Sequence, residues 1–350
     1  MRTRTVKPDA ATGRQRPRLR VGFILANNFT LSALSLFLDT LRLAADEGDL
    51  SRRIQCDWTV MSSGAPFLRA SCGLEVRPDA GLLDPSEFDY IAVIGGVLHR
   101  GQQVDAETEA YLKRCASAGV PLIGVCTGTF VLARAGLLSG HKCCVSWYHH
   151  HDMLQEFGDV EPVSDRLFLI SGDRITSSGG AGVADLAATL VDRHVGASAA
   201  RKSLSILLFE STRPDDAPQP SPTFMPKSGS PTVRRVVSLM EQNREVPLPI
   251  EALASRVGLS PRQLSRLFVA EFGQPPAAVY RRVRLTYGRW LLERSSQSVA
   301  RIAVLAGFAD GAHFGREFRR MFGASPAEFR RTSGRADRTA SELPADRRPF

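Results

Sequence analysis

The C-terminal third of the sequence contains an internal repeat, and this repeat restricts the possible folds more than any other feature. Both copies, at residues 250–271 and 299–322, carry apolar residues at helical spacing on either side of a glycine. Each copy therefore predicts a helix, a short turn and a second helix. Residues 277–294, between the copies, predict one long helix. The positions that recur after 49 or 50 residues are Ala254, Gly258, Arg266, Phe268, Phe272, Gly273 and Pro276, matched by Ala303, Gly307, Arg316, Phe318, Phe322, Gly323 and Pro326.

The turn of the first copy has the signals of a helix start. Ser260 is suited to cap the second helix, Pro261 to its first position, and Gln263 to complete a capping box. Leu264, Leu267 and Phe268 then face inward, and their spacing leaves a polar face outward. The outward candidates are Arg262, Gln263, Ser265 and Arg266 in the first copy and His313, Arg316 and Arg319 in the second.

The charge distribution indicates a polyanionic partner for the repeat. Residues 231–332 carry 17 Lys and Arg against 8 Asp and Glu, whereas residues 21–230 carry 17 against 24. Arg can bind guanine, and Gln can bind adenine, through two hydrogen bonds in the major groove, while phosphate contact is an equal alternative for each Arg. A rigid central helix would place the two reading helices about one DNA turn, ~34 Å, apart. An ordinary solvated basic face is the alternative to this interpretation.

The first 200 residues alternate short apolar runs with stretches of helical periodicity. Such alternation predicts an α/β doubly wound, mainly parallel sheet with helices on both faces. The predicted strands are residues 20–25, 56–61, 90–94, 120–125 and 174–177, and the predicted helices are residues 31–45, 107–118, 127–135 and 182–195.

Proline placement predicts the domain boundaries. Residues 212–231 contain six prolines among Ser and Asp, which is typical of an unstructured linker. We therefore expect a first domain over residues 20–211 and a second over residues 232–332, with disordered tails at residues 1–19 and 333–350. No apolar run approaches the roughly 20 residues of a membrane helix, and no signal peptide is evident. The expectation is a cytoplasmic, nucleoid-associated protein.

The six cysteines show neither a CxxC pair nor zinc-ligand spacing, so we expect free thiols, no metal and no cofactor. Cys126 stands out because it joins a buried strand directly to a helix, with small residues on both sides. This is the sequence form of a nucleophile elbow, a strained turn that exposes one side chain. The positive end of the helix would lower the pKa of the thiol.

The elbow, the strand-end Gly95–Gly96 pair and residues 176–180 resemble the DJ-1/PfpI superfamily over residues 21–195. Members that hydrolyse substrates usually follow the cysteine with a histidine as base, whereas this sequence has Thr127. The resemblance therefore implies a binding pocket without catalytic residues. The repeat, with residues 307–323 and Ser325–Pro326, resembles the AraC/XylS DNA-binding domain.

The combination of both domains resembles the GlxA-type transcription regulators. Residues 29–33, 70–73, 143–150, 179–180 and 219–220 look like the regulators of arginine, glycine betaine and carnitine catabolism. The resemblance implies a homodimeric activator of a catabolic operon that binds promoter DNA, contacts RNA polymerase and senses a small nitrogenous effector. The competing interpretations are a cysteine-dependent hydrolase or amidase fused to a DNA-binding domain, and a constitutive architectural DNA binder.

The effector site is predicted at the carboxyl ends of the parallel strands, where open α/β sheets bind ligands. Backbone amides after Gly95 and at the elbow would hold a carboxylate, and Trp147 or Tyr148 would offer an aromatic face to a quaternary ammonium. Both aromatic residues are equally well explained as core. The predicted effector residues are Phe29, Gly96, Cys126, Trp147 and His149.

Overall fold

The computed structural model describes residues 17–48, 50–98, 101–217, 219, 230–295 and 297–332. These residues form two units, one ending at Gln219 and one beginning at Ser230. Of the tails predicted at residues 1–19 and 333–350, residues 1–16 and 333–350 lie outside the described residues, as does most of the proline-rich region. Leu19, at the end of the first predicted tail, instead begins a strand of the first unit. Among the described helices, none is long and apolar enough to cross a membrane.

The first unit is built on a six-stranded sheet in the order β2-β1-β5-β6-β10-β9. Five of these strands pair in parallel, and β9 adds an antiparallel edge, which confirms the predicted mainly parallel sheet. Two short pairs, β3–β4 and β7–β8, stand beside it. The strands are β1 (Leu19–Leu25), β2 (Cys56–Met61), β3 (Leu68–Arg69), β4 (Glu75–Val76), β5 (Tyr90–Ile94), β6 (Leu122–Val125), β7 (Lys142–Cys144), β8 (Glu161–Val163), β9 (Phe168–Ser171) and β10 (Arg174–Ser177).

Helices cover both faces of this sheet, as predicted. Successive side chains of a strand point to opposite faces. Ala92 of β5 therefore joins the core under α1, α5 and α6, whereas its neighbour Ile91 joins the core under α2 and α3. Burial on both faces explains why the central strands are continuous apolar runs. The helices are α1 (Leu31–Ala45), α2 (Ala106–Ser117), α3 (Gly128–Arg134), α4 (His150–Glu156), α5 (Gly182–His194) and α6 (Ala197–Ile206).

The start of the predicted linker belongs to the first unit. The Leu167 amide donates to the Asp215 carbonyl at 3.0 Å, and Arg213 binds the buried carboxylate of Asp185. Gln219 is also bound by this unit. We call residues 212–217 together with Gln219 the exit segment. The structure thus differs from the expected unstructured linker because polar contacts made with residues distant in sequence hold the segment.

In residues 230–295 and 297–332, the second unit contains six helices around two apolar clusters. The first cluster packs α7, α8 and α9 against the N-terminal half of α10, and the second packs α11 and α12 against its C-terminal half. Both predicted helix-turn-helix motifs and the long central helix are present, whereas the sequence reasoning did not anticipate α7. The helices are α7 (Pro231–Gln242), α8 (Ile250–Ser255), α9 (Pro261–Phe272), α10 (Pro276–Arg294), α11 (Val299–Leu305) and α12 (Gly311–Phe322).

Candidate nucleic-acid interface and candidate ligand site

The second helix of each motif presents a polar, basic face. On α9, Leu264 and Phe268 are buried, whereas Arg262 and Arg266 are exposed and Ser265 is half-buried. Leu267, also predicted to face inward, is instead 36% exposed, because it lies about 100° around the helix from Phe268, at the border of the apolar face. On α12, Phe314 and Phe318 are buried in the same way. His313, Arg316 and Arg319 are exposed on that helix. The arrangement is able to present several charged donors to a groove of DNA at once.

Gln263, a predicted DNA contact, also caps the N-terminus of α9. Its Oε1 atom accepts hydrogen bonds from the backbone nitrogen and the hydroxyl of Ser260, both at 2.9 Å. The predicted capping box of α9 is thereby confirmed. Because the acceptor oxygen is committed to the cap, only the NH2 group is left for a base edge, and two-bond recognition of adenine would require breaking the cap.

The guanidinium of Arg319, a predicted DNA contact, forms an ion pair with a carboxylate of its own unit. Its Nη2 lies 2.9 Å from Oε2 of Glu328, which also accepts hydrogen bonds from the backbone and hydroxyl of Ser325. The hydroxyl of Ser325, its amide and Arg319 together lower the pKa of Glu328 to about 2. Glu328 therefore stays ionised at neutral pH and competes with phosphate for Arg319.

A half-buried arginine, not found from the sequence, fixes the second motif to the central helix. Arg284 of α10 donates to the carbonyls of Ala306 and Gly307 in the turn of that motif, and its guanidinium stacks 4.3 Å from the Phe308 ring. Gly307 has φ +70°, and a Cβ atom there would lie 2.0 Å from the Arg244 carbonyl oxygen. In the sequence, this role was indicated only by the position of a charged residue between the apolar residues Val283 and Leu285.

The predicted elbow is present at the end of β6. Cys126 has φ +56°, an unusual value for a residue other than glycine, and its amide donates to the Ser177 carbonyl at 3.0 Å. Its Sγ lies 4.0 Å from the Thr30 hydroxyl, and a Cβ atom on Gly179 would lie 2.9 Å from the Cys126 Cβ atom. The elbow, the loop after β1 and the turn before α5 therefore meet at one edge of the sheet.

The expected lowering of the Cys126 pKa is wrong. Burial raises the pKa of the thiol above its ordinary value, although the Thr127 amide and the Thr30 hydroxyl act in the opposite direction. The sequence identified the helix N-terminus but not the desolvation of the thiol, which outweighs it. A neutral thiol is a poor nucleophile at neutral pH.

Thr127, which follows the elbow cysteine, is buried, and its hydroxyl both donates and accepts a hydrogen bond. Its hydroxyl donates to the Gly96 carbonyl at 2.9 Å and accepts from Nε2 of Gln103 at 3.1 Å. Oε1 of Gln103 in turn accepts from Arg134 at 2.6 Å. The sequence reasoning missed Gln103, which lies on a loop with no spacing relationship to the elbow.

The structure places the predicted effector residues in two groups. Phe29 pairs through its backbone with Gly96, next to Cys126, but its ring is fully buried in the core. Trp147 and His149 lie on the loop between β7 and α4. The His149 ring packs edge-on against Phe130 of the elbow helix, with centroids 6.0 Å apart. Phe130 thus links the second group to the first.

The loop carries a row of three aromatic rings. The Trp147 and Tyr148 rings are 5.7 Å apart at 87°, and the Tyr148 and His149 rings are 4.8 Å apart at 88°. Nδ1 of His149 lies 2.8 Å from Asp152, which orients the imidazole. Tyr148 is exposed, whereas Trp147 and His149 are half-buried. The corner between perpendicular rings is suited to an organic cation.

Comparison with known proteins matches each unit to a family. The helix-turn-helix domain family matches residues 253–332, and the DJ-1/PfpI family matches residues 20–193. The HTH-type transcriptional regulator GbdR of Pseudomonas aeruginosa is 35% identical over 311 residues, covering 89% of this chain and 83% of its own length. The HTH-type transcriptional regulator GlxA of Rhizobium meliloti is 31% identical over 330 residues, covering 93% and 99%.

The first unit alone is also similar to an enzyme. The isonitrile hydratase of Pseudomonas putida is 30% identical over 179 residues, which cover 49% of this chain and 77% of the enzyme. The similarity to GbdR and GlxA extends over both units, whereas the similarity to the enzyme covers only about half of the chain.

Proposed function

Because the chain belongs to the AraC family of transcriptional regulators that carry an N-terminal DJ-1/PfpI domain, we propose that its first unit senses a small effector and its second unit reads promoter DNA in response. The observation that carries this proposal is the state of the elbow. Cys126 has the strained backbone of an elbow, but its thiol is neutral, and the Thr127 hydroxyl already forms hydrogen bonds with Gln103 and Gly96. Such an edge binds a ligand without transforming it.

The effector in this proposal is a small nitrogenous metabolite of the amino acid, betaine or carnitine type. The aromatic corner at Trp147 and Tyr148 supports a cationic end. The predicted carboxylate contact is not supported in the same way, because the Val97 and Cys126 amides already donate to the Asn28 and Ser177 carbonyls. A thermal unfolding screen of the full chain against L-arginine, glycine betaine and L-carnitine tests it. A ligand at 100 times its Kd adds about 2.7 kcal/mol, a rise of several degrees in Tm. No shift with any of them would exclude this effector class.

For the second unit, we propose that Arg262, Gln263, Ser265, Arg266, His313, Arg316 and Arg319 contact the operator. Selection of binding sites from a random DNA pool with the full chain would define that operator. Residues 230–332 alone are then expected to bind it with a steep loss of affinity at rising salt, because each phosphate contact releases condensed counterions. Operator binding by residues 17–219 without the second unit would contradict the assignment.

The remaining parts of the proposal concern assembly and output. We propose that the chain acts as a homodimer through its first unit and activates a catabolic operon by contacting RNA polymerase. Light scattering of the full chain tests the first part. In vitro transcription from the selected operator with purified polymerase tests the second, with repression as the contradicting result.

The second candidate function is enzymatic, and the similarity to isonitrile hydratase favours it. Replacing Cys126 with Ser distinguishes the two functions. A sensor keeps effector-dependent transcription in this variant, since the hydroxyl replaces a neutral thiol. Loss of the response together with loss of a measurable substrate turnover would support the enzyme.

A further inference from the structure

Gln219 is the last residue of the exit segment, and both the amide nitrogen and the amide oxygen of its side chain form hydrogen bonds. Nε2 donates to the carbonyl oxygens of Val145 and Arg166, both at 2.8 Å, and Oε1 accepts from the Trp147 amide at 2.9 Å. A primary amide is the neutral side chain that offers two donors and an acceptor at one end. Three backbone groups from two different loops therefore form a socket specific for this amide.

One wall of the socket is the loop that carries the predicted effector residues. The Val145 amide is fixed to the Val163 carbonyl at 3.0 Å, so this end of the loop is tied to β8. The Trp147 amide, two residues further on, is held by Gln219 instead. The peptide that presents the Trp147 ring thus also binds the end of the exit segment.

The other anchor of the exit segment is an ion pair with helix α5. Asp185, in the first turn of α5, is fully buried and accepts from Nε of Arg213 at 3.1 Å and Nη2 at 2.6 Å. This helix begins just after the Gly179 turn that touches Cys126. Between these anchors the Asp215 carbonyl accepts from the Leu167 amide at 3.0 Å, and Ala217 packs against the core, so the segment is attached to the first unit at several points.

We propose that Gln219 is the coupling residue of this regulator, through which occupation of the site at the Trp147 loop changes the attachment of the chain that leads to the DNA-reading unit. The inference rests on the proposed sensing function. Since one peptide bears both the ligand-facing ring and the Gln219 contact, a ligand that moves this peptide changes the free energy of Gln219 docking. By linkage, docking changes ligand affinity by the same factor, typically 5- to 150-fold.

The contact itself is tested on the full chain without ligand. Gln219→Ala removes the amide, and Gln219→Glu keeps the acceptor for Trp147 but has no N–H for the two carbonyls at neutral pH. Gln155→Ala, an exposed glutamine on α4, is the matched control. We expect hydrogen exchange at the Trp147 amide to be about fivefold faster in Gln219→Ala, corresponding to one lost hydrogen bond. Unchanged exchange would overturn the proposal.

The coupling is tested with the selected operator and with L-arginine, glycine betaine or L-carnitine. The ligand that raises the Tm of the wild-type chain is expected to change its operator affinity by about fivefold or more, and that of Gln155→Ala equally. In both Gln219 variants the same ligand should still raise the Tm but change operator affinity less than about twofold. An undiminished response in both variants would overturn the coupling.

Failure of the proposed effector class can be distinguished from failure of the proposed role of Gln219. If none of the three compounds raises the wild-type Tm, the proposed effector class fails, and hydrogen exchange at Trp147 alone then decides whether the socket exists.

Discussion

Arg213→Ala is expected to destabilise the first unit strongly, although Arg213 lies in a segment with the amino-acid composition of a linker. The Asp185 carboxylate is 0% exposed and accepts three N–H groups of Arg213, one from the backbone and two from the side chain. Breaking a buried ion pair costs about 3–5 kcal/mol. The backbone donor remains in the variant, and the Arg213 side chain is itself 37% exposed, so water partly replaces it. We therefore expect a loss of about 2–3 kcal/mol.

Differential scanning calorimetry of the full chain measures this loss. For a unit of this size, about 2–4 °C accompany each kcal/mol, so the transition of the first unit should fall by about 5–10 °C. Arg201→Ala, an exposed arginine on α6, is the control and should shift it by less than about 2 °C.

A double variant separates charge from packing. Arg213→Met combined with Asp185→Asn leaves no buried charge and should cost less than Arg213→Ala alone. If Arg213→Ala shifts the transition no more than Arg201→Ala does, the carboxylate is hydrated in solution and the reasoning about the anchor is refuted.

Three further predictions concern single sites. Because burial raises the pKa of Cys126, its alkylation near pH 8 should be about tenfold or more slower than that of the exposed Cys72. The alkylation rate of Cys126 should increase only above the ordinary thiol pKa, and equal rates at both thiols would contradict this prediction. Arg316→Ala should weaken operator binding by about 1–3 kcal/mol with relaxed preference at one base pair if it reads a base, whereas a uniform loss with a reduced salt slope would identify a phosphate contact. The pKa of Glu328 is lowered to about 2 in the folded chain, so its stabilising contribution is complete above its ordinary pKa and is lost as the pH falls towards 2. The free energies of unfolding of wild type and Glu328→Gln should therefore converge on acidification. A difference that stays constant with pH would exclude this role.

Much of the fold was predictable because its signals are local. The strands at β2, β5 and β10 and helix α1 have the predicted bounds, since continuous apolar runs and helical periodicity were enough to define them. The cap at Ser260 was predictable for the same reason, because a capping box needs only four consecutive residues. Helix α7 was missed since the prolines before it extended the predicted linker to its first residue.

What remained hidden depends on contacts between residues far apart in sequence. The two-residue strands β3 and β4 have no pattern of their own and exist through their pairing. Gln103 reaches Thr127 across 24 positions, and Arg213 reaches Asp185 across 28. The composition around Arg213 is that of a linker, and only the tertiary structure shows a buried partner. For Cys126, the sequence defined the turn but not the desolvation of the thiol.

The position of Gln219 has a consequence for anyone who builds hybrid regulators from this chain. A junction chosen at residue 212, where composition first becomes linker-like, would transfer a first unit without Arg213, Asp215 and Gln219. It would leave the Asp185 carboxylate and the Trp147 loop without these partners. A junction after Gln219 keeps these contacts of the first unit. The minimal portable module therefore ends eight residues later than the amino-acid composition suggests, and hybrids that differ only in this junction should differ in whether they can be switched at all.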